Sequence, residues 1–137
     1  MTLRSLIVDD EPLARKRLRT LLRAEPRVEV VGGAEDGHSA IEAIHGHTPD
    51  LVWLDVQMPG LDGFQVLAKF KGEPVLREIP VIMLSALDEE NGIARCIEMG
   101  AEDYVSKPFN PVFLRARIGA CLEKKRLRDR ERATYEA

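Results

Sequence analysis

What the chain holds in short supply narrows it first. It has two cysteines, Cys96 and Cys121, 25 positions apart and with no CxxC pair. That spacing suits neither a disulfide framework nor a thiolate metal site, so both read as reduced thiols carried on helices. The histidines are three, His38, His45 and His47, and they share no ligand-like helical spacing, which makes them surface residues. No apolar stretch reaches the roughly 18 residues of a membrane span, and the start Met-Thr-Leu-Arg-Ser-Leu lacks the long apolar region of a secretion signal. No internal repeat with a period of roughly 20–50 residues is visible. These absences point to a cytoplasmic protein with no membrane association. Aromatic residues make up only 5%, and the one tryptophan, Trp53, is assigned to the core.

What is present fits a single globular domain: 137 residues, 45% hydrophobic and 31% charged. The net charge of −3 hides an asymmetry. Residues 1–110 carry 12 Lys+Arg against 19 Asp+Glu, a net of −7, whereas residues 111–137 carry 8 against 4, a net of +4.

Apolar runs alternate with helical patterns. Leu3 to Val8 reads as a buried strand, and Glu11-Pro12 then suits a helix start, with proline at the first helical position. Leu13, Ala14, Leu18, Leu21 and Leu22 form one face of that helix; Arg15, Lys16, Arg17, Arg19 and Arg23 form a solvated face, or else a docking face for an acidic partner, and Pro26 ends it. Val28 to Gly33 suggests a short second strand, and Ser39 to His45 a helix stopped by Gly46 and Pro49. Leu51 to Leu54 is a third strand, apolar throughout as when both faces of a parallel sheet are covered. A turn-rich loop then leads into a helix around Phe64, Val66 and Leu67. Pro80 to Leu84 is a fourth strand closed by Ser85, and Asp88 to Met99 a helix ended by Gly100. Asp103 to Val105 is a fifth strand, and the last helix starts near Asn110-Pro111. The alternation implies an α/β fold with a doubly wound parallel sheet.

Candidate chemistry gathers at the strand ends. Asp9 and Asp10 follow Leu6-Ile7-Val8, and Asp55 follows Leu51-Val52-Trp53-Leu54. If both runs are neighbouring parallel strands, their carboxyl ends bring three carboxylates into one crevice, where open α/β sheets bind ligands. Two such charges about 4 Å apart repel by roughly 4 kcal/mol at an effective dielectric near 20, so the cluster calls for a divalent cation or a lysine. Lys107 is the candidate lysine, and Ser85 adds a hydroxyl at the same edge. Carboxylates with a backbone carbonyl and waters suit Mg²⁺; an aspartate can attack phosphorus; a hydroxyl and an ammonium can bind phosphoryl oxygens. Taken alone each residue has a plainer reading. Asp9-Asp10 could cap the first helix, Ser85 could be an ordinary loop serine, and Tyr104 could be half-buried packing.

At these residues the chain resembles the receiver domains of two-component response regulators. The matching pieces are Val8-Asp9-Asp10-Glu11, Leu54-Asp55 through Met58-Pro59-Gly60-Leu61-Asp62-Gly63, Val81-Ile82-Met83-Leu84-Ser85-Ala86, and Gly100-Ala101-Glu102-Asp103-Tyr104 followed by Lys107-Pro108-Phe109. The resemblance implies a flavodoxin-like five-stranded sheet of order 2-1-3-4-5. It implies that Asp55 accepts a phosphoryl group from a phosphohistidine on a sensor histidine kinase or a phosphotransfer protein. Asp9, Asp10, Asp55 and the Gln57 backbone carbonyl would hold Mg²⁺, and Lys107 would pair with the phosphate across a cis Lys107-Pro108 bond. Ser85 and Tyr104 would switch a surface formed by the fourth helix, fifth strand and fifth helix, controlling a homodimer or an output partner. Such a domain is a phosphoacceptor switch that promotes its own phosphorylation and slow dephosphorylation rather than an enzyme with turnover. In this family the residues two beyond the acceptor and two beyond the switch hydroxyl tune lifetime; here they are Gln57 and Leu87, and an apolar Leu87 implies a long-lived phosphorylated state.

Two other functions compete. An Mg²⁺-dependent phosphohydrolase with an aspartyl nucleophile uses similar residues, but its Asp-x-Asp pair is absent because Gln57 takes the second place. A scaffold that dimerises independently of phosphorylation is the third. Residues 1–121 are expected to form the receiver, and 122–137 a charged helical extension projecting as a linker or weak two-stranded stalk, with no output domain. The basic run Lys124-Lys125-Arg126 to Arg132 lacks the aromatic interleaving or recognition-helix pattern of a nucleic-acid site. The junction from Leu122 to Asp129 resembles those leading to cyclase- or phosphatase-type outputs, whereas Asp10 to Arg15 resembles regulators with a LytTR-type DNA-binding domain.

Overall fold

The computed structural model describes residues 2–85 and 90–136, along which five strands and five helices alternate. Strands β1 (Leu3–Val8), β2 (Val28–Ala34), β3 (Leu51–Asp55), β4 (Val81–Ser85) and β5 (Asp103–Ser106) form one sheet of order β2-β1-β3-β4-β5. All four pairings are parallel. The helices are α1 (Pro12–Arg23), α2 (Gly37–His47), α3 (Gly63–Lys71), α4 (Glu90–Glu98) and α5 (Pro111–Glu136). This is the doubly wound, flavodoxin-like architecture expected from the sequence.

Strand alternation divides the core. Leu6, Val8, Val52, Leu54, Val81 and Met83 point to the side covered by α2, α3 and α4, where they meet Ile44, Leu67, Phe70 and Cys96. Leu3, Ile7, Leu51, Trp53, Ile82 and Leu84 point to the side covered by α1 and α5, against Leu18, Leu22, Leu114, Ile118 and Cys121. Because successive side chains face opposite ways, consecutive apolar positions such as Leu6-Ile7-Val8 and Leu51-Val52-Trp53-Leu54 serve both layers.

Several boundaries differ from expectation for local reasons. Helix α2 begins at Gly37, ahead of Ser39, because Asp36 caps it by accepting a hydrogen bond from the Ser39 backbone N–H at 2.8 Å. Gly46 lies inside that helix and does not stop it. The stop is Thr48, whose φ of 43° is left-handed. Strand β2 extends through both glycines to Ala34, β3 includes Asp55, and β5 continues to Ser106. Leu13, expected on the buried face of α1, is 52% exposed, while Ala14, Leu18 and Leu22 are buried. Asp88 lies outside the described residues, and α4 starts at Glu90.

The charged extension is helical, since α5 runs to Glu136. It does not stand free of the domain. Lys124 Nζ lies 3.2 Å from Glu102, Arg128 3.5 Å from Glu102 and Lys125 3.7 Å from Asp50, and Arg132 pairs with Glu78. Those three acids sit in the loops entering β5, β3 and β4, so a basic stripe at about four-residue spacing lies along an acidic rim at the amino-terminal edge of the sheet.

Candidate functional site

The opposite edge of the sheet gathers the acids. Register pairs Val8 with Leu54, Asp55 with Leu84 and Ser85 with Ser106, so β1, β3, β4 and β5 end side by side. One carboxylate oxygen from each of Asp9, Asp10 and Asp55 lies within 4.8 Å of the others. Asp9 and Asp55 are buried, at 1% and 5% exposure, and Asp10 is exposed. Lys107 reaches into the cluster and donates to Asp9 Oδ2 at 2.7 Å and Asp55 Oδ1 at 3.3 Å.

The backbone fixes these groups. Asp9 Oδ1 accepts from the Glu11 N–H at 3.0 Å, an Asx turn that sets the entry into α1. The Val56 N–H donates to the Leu84 carbonyl at 2.9 Å and Lys107 N–H to the Ser85 carbonyl at 2.8 Å, tying the loop after Asp55 and the lysine loop to β4. The Lys107-Pro108 peptide is cis. Ser85 is part-buried at the end of β4. Tyr104 is also part-buried and packs against the cluster that holds Met83.

Charge in the pocket is unbalanced, with three carboxylates facing one ammonium. Burial, and then the neighbouring Asp9 charge, push the Asp55 carboxyl up to about 7, with Lys107 pulling the other way. For Lys107, burial opposes the charged form, but the hydrogen bond to Asp9 and the charge of Asp55 prevail and raise its affinity for the proton. An added cation among these oxygens would favour the ionised Asp55. The donor set of three clustered carboxylates with Lys107 to one side is all hard oxygen, which fits Mg²⁺. Gln57 lines an open cleft of about 510 Å³ together with Asp10.

Three contributors were not assigned by sequence. Arg15, placed on the solvated face of α1, donates through its guanidinium to the Asp9 backbone carbonyl, bracing the acidic loop from the helix that follows it. Gly63 opens α3 so close beneath β3 that a Cβ there would fall 2.2 Å from the Asp55 carbonyl oxygen. Its place in the Leu61-Asp62-Gly63 turn was a visible signal, but not its contact. Arg95 of α4 stacks over the Phe64 ring, 4.0 Å from its centroid, and lines the same cleft as Asp10 and Gln57. Elsewhere, His38, His45 and His47 are exposed and both cysteines are buried and free, with burial raising both thiols, Cys121 to about 11. Leu87, assigned to lifetime tuning, lies outside the described residues.

Comparison with known proteins bears on the family and the fold. The family model described as "Response regulator receiver domain" matches residues 5–119. The chain is 40% identical over 124 residues to the phosphate regulon transcriptional regulatory protein PhoB of Escherichia coli, covering 90% of this chain and 53% of PhoB. Among solved structures it resembles the REC domain of AraT, a response regulator from Geobacillus stearothermophilus, with TM-score 0.82 and 30% identity over 94% of this chain and 99% of that one. It also resembles a chain of the CheX-CheY-BeF3-Mg+2 complex from Borrelia burgdorferi, with TM-score 0.81 and 29% identity over 88% and 89% of the two chains. The chain spans between 26% and 53% of the length of the curated relatives it matches.

Proposed function

The chain belongs to the response regulator receiver domain family, and on that premise we propose that Asp55 is the residue that takes the phosphoryl group. The observation that carries this is its position: a buried carboxylate at the end of β3, clustered with Asp9 and Asp10 and accepting at 3.3 Å from a Lys107 ammonium that Asp9 also binds. A phosphohistidine on a sensor histidine kinase or phosphotransfer protein is the donor. An Asp55 carboxylate oxygen attacks phosphorus, the P–N bond breaks as the P–O bond forms, and the departing imidazole nitrogen takes a proton from solvent.

Asp9, Asp10, Asp55 and the Gln57 carbonyl would hold Mg²⁺, which when bound neutralises carboxylates and phosphoryl oxygens alike. Lys107 supplies positive charge shared by Asp9 and Asp55 and keeps its place through the Ser85 carbonyl. The Ser85 hydroxyl receives a phosphoryl oxygen, and Tyr104, two pairs along the β4–β5 ladder, follows it into the core; together they bias the α4, β5 and α5 surface. The domain acts as a switch that promotes its own phosphorylation and slow dephosphorylation. Residues 1–121 form this unit and 122–137 the helical extension. Its partners are the kinase or phosphotransfer protein, a second copy of itself, or an output domain of the whole protein, in the cytoplasm; no nucleic acid or membrane contact is assigned to this segment. Among the described residues no helix is long and apolar enough to cross a membrane.

Incubation with acetyl phosphate and Mg²⁺, read by intact mass, tests the assignment. One phosphoryl group per chain is expected for the wild type and none for Asp55→Asn. A wild type that takes up none, or a variant that takes up as much, overturns it.

A further inference from the structure

The phosphodonor must approach Asp55 through a field set by three carboxylates, and Lys107 already serves two of them. The open cleft in front of Asp10 and Gln57 is also lined by a fourth acid, Asp62, which caps α3. Of the described residues lining that cleft, Arg95 alone is cationic. It projects from the last turn of α4 and its guanidinium carbon lies 4.0 Å from the Phe64 ring centroid. A stack of this kind uses the flat face of the guanidinium and leaves its planar fork of N–H donors oriented along the ring, a geometry suited to phosphoryl oxygens. Phe64 is itself buried behind the capped start of α3, so the platform under Arg95 is rigid.

Resting on the acceptor role of Asp55, we propose that Arg95 is a positioning residue for the incoming phosphodonor. Its guanidinium, stacked on Phe64 at the mouth of the cleft, receives a dianionic acyl phosphate before transfer. The plainer alternative makes the stack a latch that only holds α4 to α3. The two differ in how they depend on donor charge. A positioning cation acts on capture of the donor, and more strongly on a dianion than on a monoanion; a latch acts on every donor alike.

The test follows phosphorylation by the Trp53 fluorescence change in stopped flow, with Mg²⁺ present, for wild type, Arg95→Gln and Arg95→Lys. Acetyl phosphate is the dianionic probe and phosphoramidate the monoanionic one. Arg95→Gln is expected to lower the second-order rate constant with acetyl phosphate about fivefold and with phosphoramidate less than about twofold. The loss falls on the half-saturating concentration and not on the limiting rate. Arg95→Lys, which keeps the charge but not the planar fork, recovers only part of it, and rising salt carries the wild type toward the Arg95→Gln value. Equal losses with both donors, a loss confined to the limiting rate, or no loss at all overturns the proposal while leaving the acceptor assignment intact. A wild type phosphorylated by neither probe overturns both. Should Arg95→Gln fold poorly, the donor-dependent salt response of the wild type decides: a response equal for the two donors refutes the positioning role.

Discussion

Replacing Asp55 with asparagine should make the metal-free protein more stable, and the gain should depend on pH. The carboxyl is held up to about 7 by burial and by Asp9, against an ordinary value of 3.8. An acid with a raised pKa in the folded state costs stability as pH climbs from the unfolded value through the folded one, because the unfolded chain gives up its proton first. Roughly three units at about 1.4 kcal/mol each set a ceiling near 4 kcal/mol, fully in force above pH 7 and absent below pH 4. Relaxation and water entry reduce this, so a gain of about 1–3 kcal/mol is expected at pH 8. Asparagine keeps an oxygen that can accept from Lys107, so the swap removes charge with little change of shape. For a domain of this size the shift in melting midpoint is about 4–10 °C. Thermal melts of wild type and variant in chelator, from pH 8 down to pH 4, give the answer as a difference, which cancels other titrating groups such as Glu25, whose carboxyl Arg27 holds low. The gap should close as pH falls. A variant no more stable than wild type at pH 8, or a gap that stays constant down to pH 4, refutes the claim that like-charge crowding and burial strain this pocket.

Other outcomes follow from the same geometry. Mg²⁺ at ten times its dissociation constant should stabilise the wild type by about 1.4 kcal/mol, with the gain abolished by Asp10→Asn or by chelator; an unmoved melting midpoint at millimolar Mg²⁺ counts against the site. Gly63→Ala should cost about 2–4 kcal/mol, since its Cβ would meet backbone at the Asp55 carbonyl and only a shift of β3 or α3 relieves it; a melt within about 0.5 kcal/mol of wild type contradicts the close approach. Glu102→Gln removes the acid shared by Lys124 and Arg128, both substantially exposed, so the fold should change by well under 1 kcal/mol. Tryptic cleavage between Lys124 and Arg132 should nevertheless quicken about two- to fivefold, and salt should do the same to the wild type. Cleavage indifferent to both would show that the ion pairs do not hold the extension.

The parts of the fold that were legible in the sequence are those set by signals close together in the chain. Leu6-Ile7-Val8 is an unbroken apolar run because both faces of β1 are covered there, and Glu11-Pro12 starts α1 because proline preorganises a first helical turn. The carboxylates at the ends of β1 and β3 could be brought together on paper, since neighbouring parallel strands have coincident ends. What escaped was set by partners remote in the chain or by caps read one step late. Asp36 begins α2 from outside the apolar pattern, and Leu13 lies roughly 140° around α1 from Leu18, on the side away from the core, whereas the adjacent Ala14 is buried. Arg15 resembles its basic neighbours until the fold sets it beneath the Asp9 carbonyl. Lys124 to Arg132 carry too little apolar surface to predict docking, and nothing local reveals that the loops before β3, β4 and β5 each offer an acid.

That arrangement gives β5 two charged ends. Glu102, at its root, is held by Lys124 and Arg128 of the extension, and Lys107, just past its tip, is shared between Asp9 and Asp55. The strand is short, Asp103–Ser106, and runs beside β4 in fixed register with Tyr104 opposite Met83 and Ser106 opposite Ser85. A phosphoryl group on Asp55 would change what Lys107 and Ser85 contact, and any displacement of their loops would travel along a four-residue ladder to an acid that anchors the segment leading out of the domain. A ligand shifts an equilibrium only by its differential interaction with the two states. At the root of β5 the contacts available to differ are ion pairs that join the exposed cations Lys124 and Arg128 to a largely buried Glu102 carboxylate. A rearrangement at the acidic pocket that moved Glu102 would therefore act on how the extension docks through these charges, which Glu102→Gln removes.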